Sequence, residues 1–318
     1  MTGKALLWVT AAEGFVGISG LLVGYVRGYK NLSLPFRDVS MKLLRRAGLL
    51  YIWSIVASIA YVAIVWNVQI EGGTPSTPMI VGDWGDFLLQ LITLQYTWVW
   101  VHFLTLYALF LAASPIAIWL FRRRMAWAVA VISFVLLGLG WATKNEALQW
   151  QFLFFIPSIA GFYLQSILNW WKQLTDRKRT AISASTITLT FTTIVLSVIF
   201  TYYAQPFQQS ADYVNKILFA KDSISILRAM IAFLWFTGFI FAFSLLRTFI
   251  SKAFNWLLIP MGTYSLTAYI LHGVALCIIS YLTIVSENIW INTILGVIAV
   301  ILIWGLIKIP FVRRIIPA

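Results

Sequence analysis

Few side chains in this sequence could carry proton or charge chemistry. There are two histidines, His102 and His272, and only 10% of the residues are charged. Glu13 is the one charge in the apolar run Ala5–Val26, and Arg228 sits just inside the run Ile224–Ile250. An ionisable group within a bilayer costs about 2.5–3.5 kcal/mol on insertion scales, so each of these needs a partner. At helical spacing Glu13 shares a face with Gly17, Gly20, Gly24 and Gly28, the row along which a second helix packs. Gly20 and Gly24 form a small-xxx-small pair that admits a close backbone. The carboxylate is therefore expected to face protein. A buried carboxylate, guanidinium and imidazole offset one another's desolvation. Glu13, Arg228 and His272 are expected to converge, with His102 as a fourth member.

Other chemistries lack their patterns. No H-E-x-x-H spacing is present, and no metal site is expected from two scattered histidines. One cysteine, Cys277, leaves no disulfide within the chain and no thiolate cluster. There is no P-loop and no GxSxG elbow.

The elements that must position these groups are membrane spans. The chain has 318 residues and is 61% apolar, with mean hydropathy +0.88. The expected fold is all-α: one integral-membrane domain over 1–318, a polytopic bundle in the inner or plasma membrane. Nine apolar runs can be read: Ala5–Val26, Leu49–Trp66, Val99–Phe121, Met125–Trp141, Phe152–Trp170, Ala181–Tyr203, Ile224–Ile250, Leu257–Leu282 and Ile289–Ile307. Pro115, Pro157 and Pro260 fall inside runs and should kink them. Phe87–Leu94 is apolar but too short to span, so it would lie at the surface or re-enter. No cleavable signal peptide is expected, since the first run ends without an A-x-A site.

The charges orient the bundle. Eighteen of the 23 lysines and arginines lie in or beside the loops after the odd-numbered runs, while most acids lie on the other side. The positive-inside rule then puts the N-terminus outside and the C-terminus inside. The formal net charge of +13 is an orientation signal, and no nucleic-acid partner is expected. On this topology Glu13, His102, Arg228 and His272 all fall in the outer half of the membrane. Gly262, Ser265, Tyr269 and His272 would share one face of the eighth span.

Several stretches, in order, carry a resemblance. GFVGISGLLVG, Gly14 to Gly24, is similar to the second-helix signature of the integral-membrane acyltransferase 3 superfamily. Glu13 before it resembles the OpgC-like branch, the succinyltransferases of periplasmic glucans. KLLRRAGLLYIW (Lys42 to Trp53), HFLTLYALFLAASPIAIWLFRRR (His102 to Arg124) and LQWQFLFF (Leu148 to Phe155) resemble later segments. So do KDSISILRAMIAFL (Lys221 to Leu234) and MGTYSLTAYILH (Met261 to His272). Family members begin with a further helix bearing a catalytic His. Met1 stands just after the place of that helix, whose addition would make ten spans.

The resemblance implies an acyltransferase. It would move succinyl or acetyl from a cytoplasmic acyl-CoA, a co-substrate rather than a bound cofactor, to a hydroxyl of an extracytoplasmic glycan. Such transfer needs a base, a group to orient it and a donor for the oxyanion. His272 or His102 would be the base, Glu13 the orienting carboxylate and Arg228 the stabilising cation. Arg45, Arg46, Arg122 and Arg123 would bind the donor's phosphates. Trp150, Gln151, Tyr269, Ser265 and Lys221 would meet the glycan. Two other classes stand beside this: a transporter or flippase of a lipid-linked glycan, and a non-catalytic membrane scaffold. Membrane lipids surround the chain in all three.

The topology is testable. Cysteines introduced at Gly73 and Ala211 should react with an impermeant reagent added outside, and those at Arg123 and Lys178 should not. Labelling at Arg123 but not at Gly73 would invert the orientation.

Overall fold

The computed structural model describes residues 7–66, 84–98, 101–203, 214, 219, 223–282 and 289–316. Lys221, Gly73 and Ala211 lie outside them, as do most of the two long outer loops read from the sequence. Every regular element among the described residues is helical. α1 (Ala11–Leu22) runs on into a π-helical stretch, Val23–Tyr29. There follow α2 (Phe36–Trp66), α3 (Trp84–Ile92), α4 (His102–Arg122), α5 (Ala126–Thr143), α6 (Glu146–Phe162) and α7 (Leu164–Gln173). α8 (Asp176–Val198) has a π-helical end, Ile199–Tyr203. Then come α9 (Ile226–Leu245), α10 (Arg247–Thr263), α11 (Ser265–Leu282), α12 (Ile289–Lys308) and α13 (Pro310–Ile315).

Among the described residues, six helices are long and apolar enough to cross a membrane: α2, α4, α5, α8, α9 and α12. The number is eight if each of two bent pairs is one span. Large apolar side chains such as Ile116, Trp127 and Phe249 are more than half exposed, as contact with acyl chains requires. The chain is a multi-pass helical protein of the inner membrane.

The structure departs from the sequence reading at several places, among them the seventh run, whose helix ends at Leu245 with 247–250 in the next helix. The first run becomes helical only at Ala11, because Thr10 caps it. The basic stretch before the second run is helix, not loop: α2 begins at Phe36 and carries Arg37, Lys42, Arg45 and Arg46 directly into the apolar part. The fifth and eighth runs are not continuous. α6 and α7 bend by 60° about Tyr163, and α10 and α11 by 96° about Tyr264. α7 carries Gln165, Asn169 and Lys172, and α10 carries Arg247, Lys252 and Asn255. Neither buries a residue fully. Such helices suit the interface plane, so the chain turns rather than drawing those groups into hydrocarbon. The bend at Tyr264 also parts Gly262 from Ser265, Tyr269 and His272.

The chain forms two compact units. One is Met1–Gly48 with Leu106–Leu246; the other is Leu49–Thr105 with Arg247–Ala318. In the first, α1 lies against α6 backbone to backbone. A Cβ on Gly20 would come within 2.8 Å of the Phe154 carbonyl carbon, and one on Gly24 within 2.7 Å of that of Ser158. From the other side, a Cβ on Gly161 would be 2.8 Å from the Leu21 carbonyl carbon. Gly17 faces Leu153, and Gly28 faces Phe162. Both series ascend together, so α1 and α6 run parallel. In the second unit α11 and α12 share a core of Ala275, Ala299, Ile303 and Ile307. There Gly273 leaves room for the Tyr61 hydroxyl, which donates to the Ile270 carbonyl at 2.5 Å.

Glycine substitutions separate contact from propensity. Gly20→Ala should lower stability in detergent by about 1–3 kcal/mol, because the new methyl has no space. Gly14→Ala, with nothing within 4 Å of its Cβ, should be neutral or stabilising by up to about 1 kcal/mol. Leu22→Ala, at a half-exposed site, should fall between them. Equal melting temperatures for Gly20→Ala and Gly14→Ala would refute the close contact.

Candidate functional site

Glu13 owes its position to a helix start. Thr10 is the N-cap of α1 and forms a capping box with Glu13, three residues on. The Thr10 backbone N–H donates to Glu13 Oε2 at 2.9 Å, and its hydroxyl donates to the same oxygen. The other oxygen, Oε1, accepts from Arg228 Nη2 in an ion pair. Arg228 stands in the first turn of α9, whose N-cap Ser225 Oγ accepts the Arg228 backbone N–H at 3.1 Å. Nη1 of the guanidinium donates to the Ser223 carbonyl at 3.3 Å. Glu13 is 2% exposed and Arg228 3%, so the pair is formed away from solvent. The first turns of α1 and α9 therefore lie side by side, and the two helices begin at one level.

A second set of contacts fixes the segment that carries Arg228. Lys144 in the left-handed conformation (φ 54°) and Asn145 as N-cap close a tight turn between α5 and α6. Across that turn Gln149 Nε2 donates to the Gly140 carbonyl at 3.0 Å. Gln149 Oε1 accepts the backbone N–H of Ile224, and the Ile224 carbonyl accepts from Trp141 Nε1, both at 2.9 Å. Both backbone groups of Ile224 are thus tied to side chains. α8 braces α9 through Thr190 and Thr193, which meet the Leu234 carbonyl and Trp235 Nε1. Ahead of α1, the Trp8 ring stacks on Phe219 at 4.2 Å, and its backbone N–H donates to Ser197 Oγ at 2.9 Å.

Thr10, Trp141, Gln149 and Ser223 were not singled out by the sequence reading. The Thr10-x-x-Glu13 spacing was the available signal for the first. The others are polar or indole groups at run ends, where nothing local says which helix will answer them.

The histidines belong to the second unit. His102 opens α4, and its Nδ1 is 3.0 Å from Thr97 Oγ1. The next residue, Phe103, packs on Tyr269 with ring centroids 5.7 Å apart. Tyr269 in turn lies 6.3 Å from the His272 ring, one turn along α11. The two histidine-bearing helices therefore meet through an aromatic pair. His272 is half-buried, and Ser265 is exposed at the start of α11.

A match to the family described as OpgC protein runs over residues 1–311, taking in all of these helices. The chain belongs to the OpgC protein family. No curated protein matches it, and no solved structure does.

In this OpgC-family chain the remaining candidate residues have definite surroundings. Gln151 is buried: its Oε1 accepts from Ser133 Oγ at 2.9 Å, and its Nε2 donates to the Ser133 and Leu148 carbonyls. Trp150 beside it is half-buried. Arg122 Nη2 donates to the carbonyls of Asn31 and Leu34 at 3.0 and 2.8 Å, gripping the turn before α2. The exposed Arg123 lies over the Trp119 ring at 4.6 Å. Arg45 is exposed and Arg46 half-buried on α2.

The ion pair makes a direct prediction. Glu13→Gln leaves a buried guanidinium unanswered and should cost about 3–5 kcal/mol of stability. Arg228→Met should cost a similar amount, and the double variant should be more stable than either single one. A double-mutant cycle of unfolding in detergent checks this, and additive losses would mean that the two groups do not act as a pair.

Proposed function

We propose that this chain is a membrane-bound O-acyltransferase. It moves an acyl group, succinyl or acetyl, from a cytoplasmic acyl-CoA to a hydroxyl of an extracytoplasmic glycan. One observation carries the chemistry: a guanidinium held away from solvent by a carboxylate at the starts of two helices. Membership of the OpgC protein family supports the class.

The hydroxyl oxygen attacks the thioester carbonyl, and an imidazole takes its proton. The carbonyl oxygen becomes an oxyanion; the C–S bond then breaks, and the thiolate of CoA leaves and recovers the proton. His272 is the candidate base, with His102 as the second. Arg228 is the candidate donor to the oxyanion. Glu13 holds Arg228, so in this reading it orients the cation rather than an imidazole. Arg45, Arg46, Arg122 and Arg123 are the candidate phosphate ligands for CoA. Trp150, Gln151, Tyr269 and Lys221 are the candidates on the glycan side; Ser265 starts α11 next to Tyr264, at the end where Lys308 and Arg313 lie, and so takes no part there. The reading treats 1–318 as one functional domain of nine spans, N-terminus outside. The parallel sense of α1 and α6 and the common level at which α1 and α9 begin support that alternation.

A second reading, transport or flipping of a lipid-linked glycan, would use the same buried charges as part of a pathway. One experiment separates the two. Purified protein in liposomes is given labelled succinyl-CoA or acetyl-CoA outside and a glucan within. Label should appear on the glucan. His272→Ala should lower the rate by about 10²–10⁴-fold, and Arg228→Lys by about 10²–10³-fold if it loses an aligned donor. Movement of glycan across the bilayer without acylation would favour transport.

A further inference from the structure

Within the second unit, the bend between α10 and α11 opens a cleft of about 460 Å³ against the end of α12. Ile259, Pro260 and Ile307 wall it, with Thr263 and Tyr264 at the bend and Lys308 and Arg313 at the rim. Its described lining holds two cations and no acid. Both cations are held in place. Lys308 Nζ lies 3.7 Å from the centroid of the Trp304 ring. Arg313 donates to the Tyr264 hydroxyl at 3.4 Å and to the Lys308 carbonyl at 3.1 Å, with its guanidinium over the Tyr264 ring. These bonds fix the fork and use only part of its donor capacity.

Depth and surroundings say what fits. Lys308 ends a helix long and apolar enough to cross the membrane, so the rim lies where headgroup phosphates lie. The walls and the surface outside them are apolar and open: Ile259 in the wall is 58% exposed, and Phe311 outside it 69%. An occupant must offer an anion to the rim and hydrocarbon to the walls. A water-soluble phosphate would satisfy the cations and leave the walls wetted. We propose that this cleft binds an anionic phospholipid, its phosphate between Lys308 and Arg313 and one acyl chain along Ile259 and Pro260. The cleft adjoins Ser265, the residue after Tyr264, but uses none of the groups named as base, oxyanion donor or phosphate ligand, and it does not depend on that activity.

The test uses the full chain in mixed micelles, with native mass spectrometry and a binding titration. Phosphatidylglycerol should be retained through detergent exchange and phosphatidylcholine lost. Lys308→Gln with Arg313→Gln should weaken retention by about 25-fold, at about fivefold per cation. Thr263→Trp keeps both cations and fills the cleft, and should weaken retention as much while eluting as a single species. Arg177→Gln with Lys178→Gln removes the same charge from the exposed start of α8 and should bind as the unchanged protein does. Equal retention of the two lipids, equal loss in the α8 variant or undiminished binding by Thr263→Trp would each overturn the proposal. Displacement of the lipid by free coenzyme A would do so too, assigning the cleft to a soluble phosphate.

Discussion

At Gly20 and Gly24 the backbone of α1 rests on peptide carbonyls of α6, and a hydrogen atom is all that fits between them. In a bilayer, water does not drive helices together, so close packing of this kind has to supply the association. The contact also sets rotation. A helix seated on its glycine face has its other positions fixed, and Glu13 lies on that same face, one turn before Gly17. Were α1 turned by a third of a revolution, the carboxylate would leave the interior and Arg228 would lose its partner. The ion pair is therefore downstream of the glycine packing, and so is the level at which α9 begins.

The two ends of the first unit differ in kind. Where α1, α6 and α9 begin, polar groups are buried and answered one by one: Glu13 by Thr10 and Arg228, Ile224 by Gln149 and Trp141. Where α1 and α4 end, the cations are partly or fully exposed and lie over aromatic rings, as Lys30 does over Tyr25 and Arg123 over Trp119. The first arrangement holds a geometry and the second holds a depth in the membrane.

How much of this was legible follows from range. The glycine face was readable because helical spacing is local and glycine there has few other uses. The need of Glu13 for a partner was readable from the cost of a lone charge, and Arg228 from its matching place near a run's end. Pro157 and Pro260 marked the two runs that bend but not the place, since the bends come six and four residues later, at Tyr163 and Tyr264. Neither residue is a helix breaker, and hydropathy averages across the polar residues of α7 and α10 that draw those helices to the interface. The start of α1 at Ala11 was overrun for the same reason, although Thr10 and Glu13 stood at capping-box spacing. Gln149 and Gln151 looked alike in sequence. Their surroundings differ because one faces the turn into α9 and the other Ser133 on α5, a distinction set by a neighbouring helix.

Glu13 and Arg228 are 215 residues apart in the chain. At ribosomal speeds of about 5–20 residues per second, roughly 10–40 s pass between the making of one and of the other. Through that interval the carboxylate has no guanidinium to answer it. Its place in the first turn of α1 matters then, because a group so near a helix end can stay among headgroups and water while the glycine face already waits below it. α6 is made first and takes the glycine face; α9 follows and takes the charge. Synthesis thus offers the glycine face its partner before it offers the carboxylate its own.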